Sequence, residues 1–205
     1  MATTPLDPRL PPWLHQGFSA FCQRYVEGPD PAFRDAVRHG QKPRALVVTC
    51  SDSRVDPALL FNAKPGELFV VRNVAALIPP VDAEAEEHSV AAAVQFAVEH
   101  LAVPQLLVMG HSHCGGLQGF LRGLGPSSPS HLEQWLRWLS PLRDTFPLGQ
   151  PSDEGEAGRA AVRLSLQRLA SHPTVAERLR TGSLAVFGLY FQLQPAKLEL
   201  VDAIP

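Results

Sequence analysis

Apolar positions along the chain change period repeatedly, and each change marks an element. Leu14, Phe18, Phe21, Cys22 and Tyr25 recur at helical spacing and predict an amphipathic helix. Asp30-Pro31 then offers a cap and a first-turn proline, and Gly40 is placed to end a second helix. Within 44–49 the run Ala-Leu-Val-Val is short and continuously apolar, as in a buried strand. Segments 68–71 and 106–109 repeat that signature, and Val90, Val94, Val98 and Leu101 mark the buried stripe of a long helix between them.

Leu117, Phe120, Leu121 and Leu124 predict a helix after Gly115-Gly116. Ser130 and Glu133 fit a capping box ahead of Trp135, Leu136 and Leu139. Helices are expected near 157–170 and 174–181, the second with Thr174 and Glu177 in the capping pattern. Segment 184–191 is strand-like, and 198–201 is placed to pair with it across Gln194-Pro195-Ala196. The Pro, Gly and Ser content of 125–130 and 147–158 reads as loop.

Buried strands alternating with helices indicate an α/β fold with a mostly parallel central sheet flanked by helices. A chain of 205 residues, 45% of them hydrophobic, suits a single domain over 1–205 with one real core. In such sheets, ligands gather beyond the carboxyl ends of the strands.

Charge narrows the function. Eighteen basic against twenty acidic residues leave a net charge of −2. That balance argues against nucleic acid or an anionic membrane as a partner. No apolar stretch is long enough to span a bilayer, and the start shows no signal-peptide pattern, so a cytoplasmic protein is expected. Three cysteines, at 22, 50 and 114, argue against a disulfide framework. Metal ligation, catalysis and plain burial remain for them.

Two strand ends carry the candidate chemistry. One reads Val-Val-Thr-Cys50-Ser-Asp52-Ser-Arg54 and the other Val-Met-Gly-His111-Ser-His113-Cys114-Gly-Gly. Neighbouring parallel strands would bring Cys50, His111 and Cys114 together. Two thiolates and one imidazole suit Zn²⁺ and leave a fourth position for water, Asp52 or substrate. Other readings stand beside this one. A cysteine ending a strand can be a small hydrophobe, Asp52 and Arg54 can form a surface ion pair, and Cys50 with Cys114 can be a redox pair.

These motifs resemble the β-class carbonic anhydrases. The likeness rests on Cys-Ser-Asp-Ser-Arg at 50–54 and Gly-His-Ser-His-Cys-Gly-Gly at 110–116. It extends through 65–73 and 95–101, and 184–191 looks like a diverged last core strand. The resemblance implies reversible hydration of CO₂ to bicarbonate and a proton, with hydroxide formed at zinc as nucleophile. It implies zinc ligation by Cys50, His111 and Cys114, with Asp52 and Arg54 as a catalytic dyad beside the metal. It further implies Gln41, Phe69 and Val74 as substrate-binding residues, as in plant-type members. A homodimer or larger homo-oligomer is implied too, with a helical arm over about 1–39 embracing the partner and a core over about 40–205.

The sequence also departs from the family. Phe96 stands where many members have tyrosine, Ala76 replaces a frequent asparagine, and Val47 takes the place of a tryptophan. Arg72 is thereby left without two companions that form a regulatory bicarbonate site in one branch. A relative acting on CS₂ or COS and a catalytically impaired zinc scaffold are the alternative functions.

Overall fold

The computed structural model describes residues 7–82, 88–123 and 130–205; Leu124 and residues 125–129 of the expected loop lie outside them. Among the described residues five strands form one sheet: β1 (Ala45–Cys50), β2 (Leu68–Asn73), β3 (Gln105–His111), β4 (Ala185–Gln192) and β5 (Lys197–Ile204), in the order β2-β1-β3-β4-β5. The first four run parallel, and β5 closes the edge antiparallel to β4. The chain leaves β1 towards β2 on one side and returns to β3 on the other. The crevice beyond β1 and β3 is therefore the topological switch point, where this architecture binds ligands. Cys50 ends β1 and His111 ends β3.

The apolar runs form central strands because both faces are buried: all six residues of β1 are inaccessible or nearly so. On one face Leu46, Val48, Leu106, Val108 and Val186 meet Val90, Val94 and Val98 of a helix that starts as α4 (Ser89–Gln95) and ends in a wider turn, Phe96–His100. Val162, Leu166 and Leu169 of α7 (Glu154–Ser171) join them. Full burial of each such side chain contributes about 1.5–3 kcal/mol, so this layer dominates the fold's stability. Close approach of α7 depends on glycine: a Cβ at Gly110 would stand 2.7 Å from Val162 Cγ2.

The N-terminal amphipathic segment is α1 (Pro12–Phe21), continued by a wide turn over Cys22–Val26. In α2 (Ala32–His39) the Asp30 carboxylate accepts from Ala32 N, and Gly40 leaves the helix at φ 82°. The capping box of α6 (His131–Leu136) is formed as expected, with Ser130 and Glu133 exchanging hydrogen bonds. Two expectations need correction. The loop ends earlier than 158, because the Asp153 side chain caps α7 and Glu154 onward is helical. Thr174 does not cap α8 (Pro173–Arg180): Pro173 occupies the first turn, and Thr174 Oγ1 lies 2.9 Å from His172 Nδ1. Among the described residues no helix is long and apolar enough to cross a membrane.

Candidate metal centre

Three donors meet at the switch point. Cys50 comes from the end of β1, His111 from the end of β3, and Cys114 from the position that opens α5 (Gly115–Arg122). Their ligand atoms all lie within 4.8 Å of one another, and all three residues are buried. The two sulfurs are 3.9 Å apart. His113, at φ +55°, turns the chain between strand and helix, so that His111 and Cys114 converge.

The histidine is oriented for ligation. Its Nδ1 lies 2.8 Å from the Ser112 carbonyl oxygen. A carbonyl only accepts, so Nδ1 carries the hydrogen and Nε2 presents its lone pair. That Nε2 is buried and has no hydrogen-bond partner among the described residues. Leaving such an atom unsatisfied costs about 1–3 kcal/mol, which a bound cation would remove. Ser112 is itself pinned to the end of β4: its N–H donates to the Phe191 carbonyl, and its hydroxyl accepts from Leu193 N.

Proton affinities in the trio are interdependent. The hydrogen bond from Cys114 lowers the pKa of Cys50 against the opposing effect of burial; the N–H groups of Asp52 and Ala75 also favour its thiolate. The same sulfur contact, reinforced by burial, raises Cys114, although Leu117 and Gly116 N–H groups point at its sulfur. The pair therefore holds one proton tightly and releases the other readily. Burial opposes charge on the His111 ring, but nearby Cys50, the Ser112 carbonyl and Asp52 outweigh it and raise its pKa. The Gly116 N–H is aimed at the Cys114 sulfur.

Asp52 and Arg54 form a fork beside these donors. Asp52 Oδ1 accepts from Arg54 N and Nε, both at 2.9 Å, and Oδ2 accepts from Nη2 at 2.7 Å. Arg54 Nη2 also donates to the His113 carbonyl at 3.2 Å. These Arg54 hydrogen bonds hold the Asp52 carboxyl far below the usual carboxylate range. Asp52 Oδ2 comes to 4.0 Å from His111 Nε2 but stays outside the three-donor set.

The carbonic anhydrase family model matches residues 45–198. The chain belongs to the β-carbonic anhydrase family. Its enzyme relatives include Beta carbonic anhydrase 3 of Arabidopsis thaliana, 31% identical over 195 residues, covering 91% of this chain and 75% of that one. The carbonic anhydrase of Synechocystis sp. is 32% identical over 198 residues, covering 93% of this chain and 71% of that one. Among solved structures, the β-carbonic anhydrase CcaA aligns at TM-score 0.81 and 31% identity, over 93% of this chain and 94% of that one. The Coccomyxa β-carbonic anhydrase in complex with acetazolamide aligns at 0.77 and 26%, over 97% and 89%.

Within one chain of this β-carbonic anhydrase, the remaining candidates separate. Val74 packs with Cys50 and Cys114 in one apolar cluster. Phe69 packs against the other cluster and meets the Phe96 ring at a tilt, ring centroids 5.8 Å apart. It stands four positions before Asn73, which pairs with Cys50; at 3.3 Å per residue that is about 13 Å along the strand. Gln41 is exposed, before the amino end of β1, whereas the donors gather at its carboxyl end. The site also uses groups that the sequence reading missed. Asn73 clasps the loop by bonding both Leu77 N and O, Ala75 turns at φ 66°, and Trp135 Nε1 donates to the Val74 carbonyl. Backbone carbonyls and left-handed alanines leave no compositional mark; only Asn73, beside a strand end, carried a readable signal.

Proposed function

We propose that this β-carbonic anhydrase interconverts CO₂ and water with bicarbonate and a proton, using Zn²⁺ held by Cys50, His111 and Cys114. The observation that carries this reading is the buried trio of donors, with a His111 Nε2 that has no partner among the described residues. Two sulfurs and an imidazole match the preference of zinc, and three protein ligands leave the open position a catalytic site needs. Bound zinc supplies the Lewis acidity that makes hydroxide available near neutral pH. With two thiolates offsetting the charge of the metal, activity should rise through the weakly alkaline range.

Asp52 accepts a hydrogen bond from the attacking hydroxyl and sets its orientation. Arg54 keeps that carboxylate ionised and turned aside, which leaves the fourth position to water. Val74 gives CO₂ an apolar wall. Gln41 and Phe69 serve the substrate only from a second copy of the chain, because each stands away from the donors of its own chain. A homodimer with an embracing N-terminal arm fits the exposed Trp13 and Phe18 of α1, at 69% and 44% accessibility. It also fits the open margins of the second sheet face, where Val70 and Leu200 are 39% and 64% accessible.

Asp52→Asn tests the role of the carboxylate. The variant should keep its zinc and lose about 10²-fold or more in turnover, the usual range for a lost acid–base or orienting group. Full activity in a folded variant would contradict the role. Cys50→Ser should lose zinc; unchanged stoichiometry would remove Cys50 from the ligand set.

A further inference from the structure

Behind the donors lies an arginine that none of the chemistry above uses. Arg72 sits in β2 beside Thr49 of β1, one residue before the level of Cys50. Its guanidinium reaches three acceptors within a single seven-residue turn. Nε donates to the Cys50 carbonyl at 3.1 Å, Nη2 to the Asp52 carbonyl at 2.6 Å, and Nη1 to Asp56 Oδ2 at 3.1 Å. The Asp52 carbonyl accepts from Val55 N as well. The other oxygen of Asp56 accepts from Ala58 N and Leu59 N and so caps α3 (Pro57–Leu60). One planar cation thus ties the backbone at residues 50 and 52 to the start of the next helix.

We propose that Arg72 is a positioning residue, which fixes from behind the turn that presents the Cys50 sulfur and the Asp52 carboxylate. This rests on the reading of Cys50 as a zinc ligand and Asp52 as the orienting carboxylate. The geometry supports it in three ways. First, the two carbonyls held are those of the two functional residues. Second, the spread of acceptors requires a guanidinium fork, which a lysine ammonium cannot reproduce. Third, with three protein acceptors engaged, Arg72 is committed to the turn. Ligand positions matter at a few tenths of an ångström, so a loosened turn would weaken the metal site before it unfolded the protein.

Arg72→Lys and Asp56→Asn, both as full-length zinc-loaded protein, test this. Three readouts are taken: the rate of zinc loss to a chelator, kcat and KM separately for CO₂ hydration, and thermal unfolding. Loss of a group that orients a metal ligand typically costs about 10–100-fold in metal affinity or activity. Arg72→Lys should therefore release zinc about tenfold faster or more and lose kcat by a similar factor, with KM little changed. Asp56→Asn keeps the capping oxygen of α3 and removes only the anchor of Arg72, so it should show the same pattern more weakly. It carries the test if the lysine variant does not fold. Lower unfolding temperature with wild-type zinc release and kcat would make Arg72 merely structural and overturn the proposal. The wild-type arm separates the two failures: wild-type protein that binds no zinc or hydrates no CO₂ refutes the proposed function itself.

Discussion

Gly116→Ala probes how tightly the loop after β2 is packed against the helix that carries Cys114. A Cβ at Gly116 would stand 2.5 Å from Val74 Cγ1 and 3.3 Å from Ala75 Cβ. Carbon pairs prefer about 3.5–4.0 Å, so the methyl overlaps Val74 by about 1 Å. Val74 cannot easily swing away, since a β-branched side chain has few χ1 choices and its own carbonyl is held by Trp135. Overpacking of this kind costs about 1–3 kcal/mol. The better helix propensity of alanine returns at most about 1 kcal/mol, and less in a first turn. A net loss of about 1–2 kcal/mol remains, which in a chain of this size lowers the unfolding temperature by about 2–8 °C. Val74→Ala removes the obstructing methyls, so the double variant should recover most of the loss, with a coupling of about 1 kcal/mol between the sites. The assay is thermal and urea unfolding of all four proteins at the same free zinc concentration. A Gly116→Ala variant as stable as wild type, or two effects that simply add, would refute the packing described.

Three further outcomes follow from groups away from or within the site. Thr49 is fully buried and its hydroxyl donates to the Met109 carbonyl at 3.1 Å, so Thr49→Val should cost about 1 kcal/mol in urea unfolding, and no loss would contradict that bond's contribution. Hydrogen bonds from Arg159, then Lys197, lower the pKa of Glu199 from its ordinary 4.5. A depressed carboxyl stabilises the fold above its unfolded pKa and stops doing so as pH falls through its folded one. The gap in urea midpoint between wild type and Glu199→Gln should therefore be full at neutral pH and shrink below pH 4.5, while a pH-independent gap would count against it. Because Cys114 keeps its proton in the metal-free protein, zinc binding should expel about one proton or more per metal. Calorimetry in buffers of different ionisation enthalpy reads that release, and its absence would contradict the shared-proton picture.

Much of the metal trio was legible because each member sits at a recognisable boundary. Cys50 and His111 end apolar runs, and Cys114 precedes two glycines. Their meeting depends on β1 and β3 being adjacent, which the alternation of strands and helices implies but no single motif states. The misread stretch before α7 has a physical cause. Gly155 and Gly158 look like loop residues, yet a Cβ at Gly158 would stand 2.5 Å from the Tyr190 ring. That glycine makes room for an aromatic side chain inside a helix. At Thr174 the capping pattern was present, but Pro173 is already helical and the chain enters from His172. That Phe69 and Gln41 stand away from the donors was beyond sequence reading, because a motif gives positions along a chain and not distances across the fold. The Ser112 carbonyl, the Ala75 N–H and the carbonyls held by Arg72 belong to the backbone, which every residue supplies alike.

Stopped-flow CO₂ hydration, run on protein reconstituted with increasing zinc and with bound metal quantified in each sample, tests the central assignment. Hydration should be absent from metal-free protein, rise in proportion to bound zinc and level off at about one ion per chain, the capacity of a single Cys50–His111–Cys114 site. Hydration without zinc, or a full complement of zinc at that site with no hydration, would contradict it.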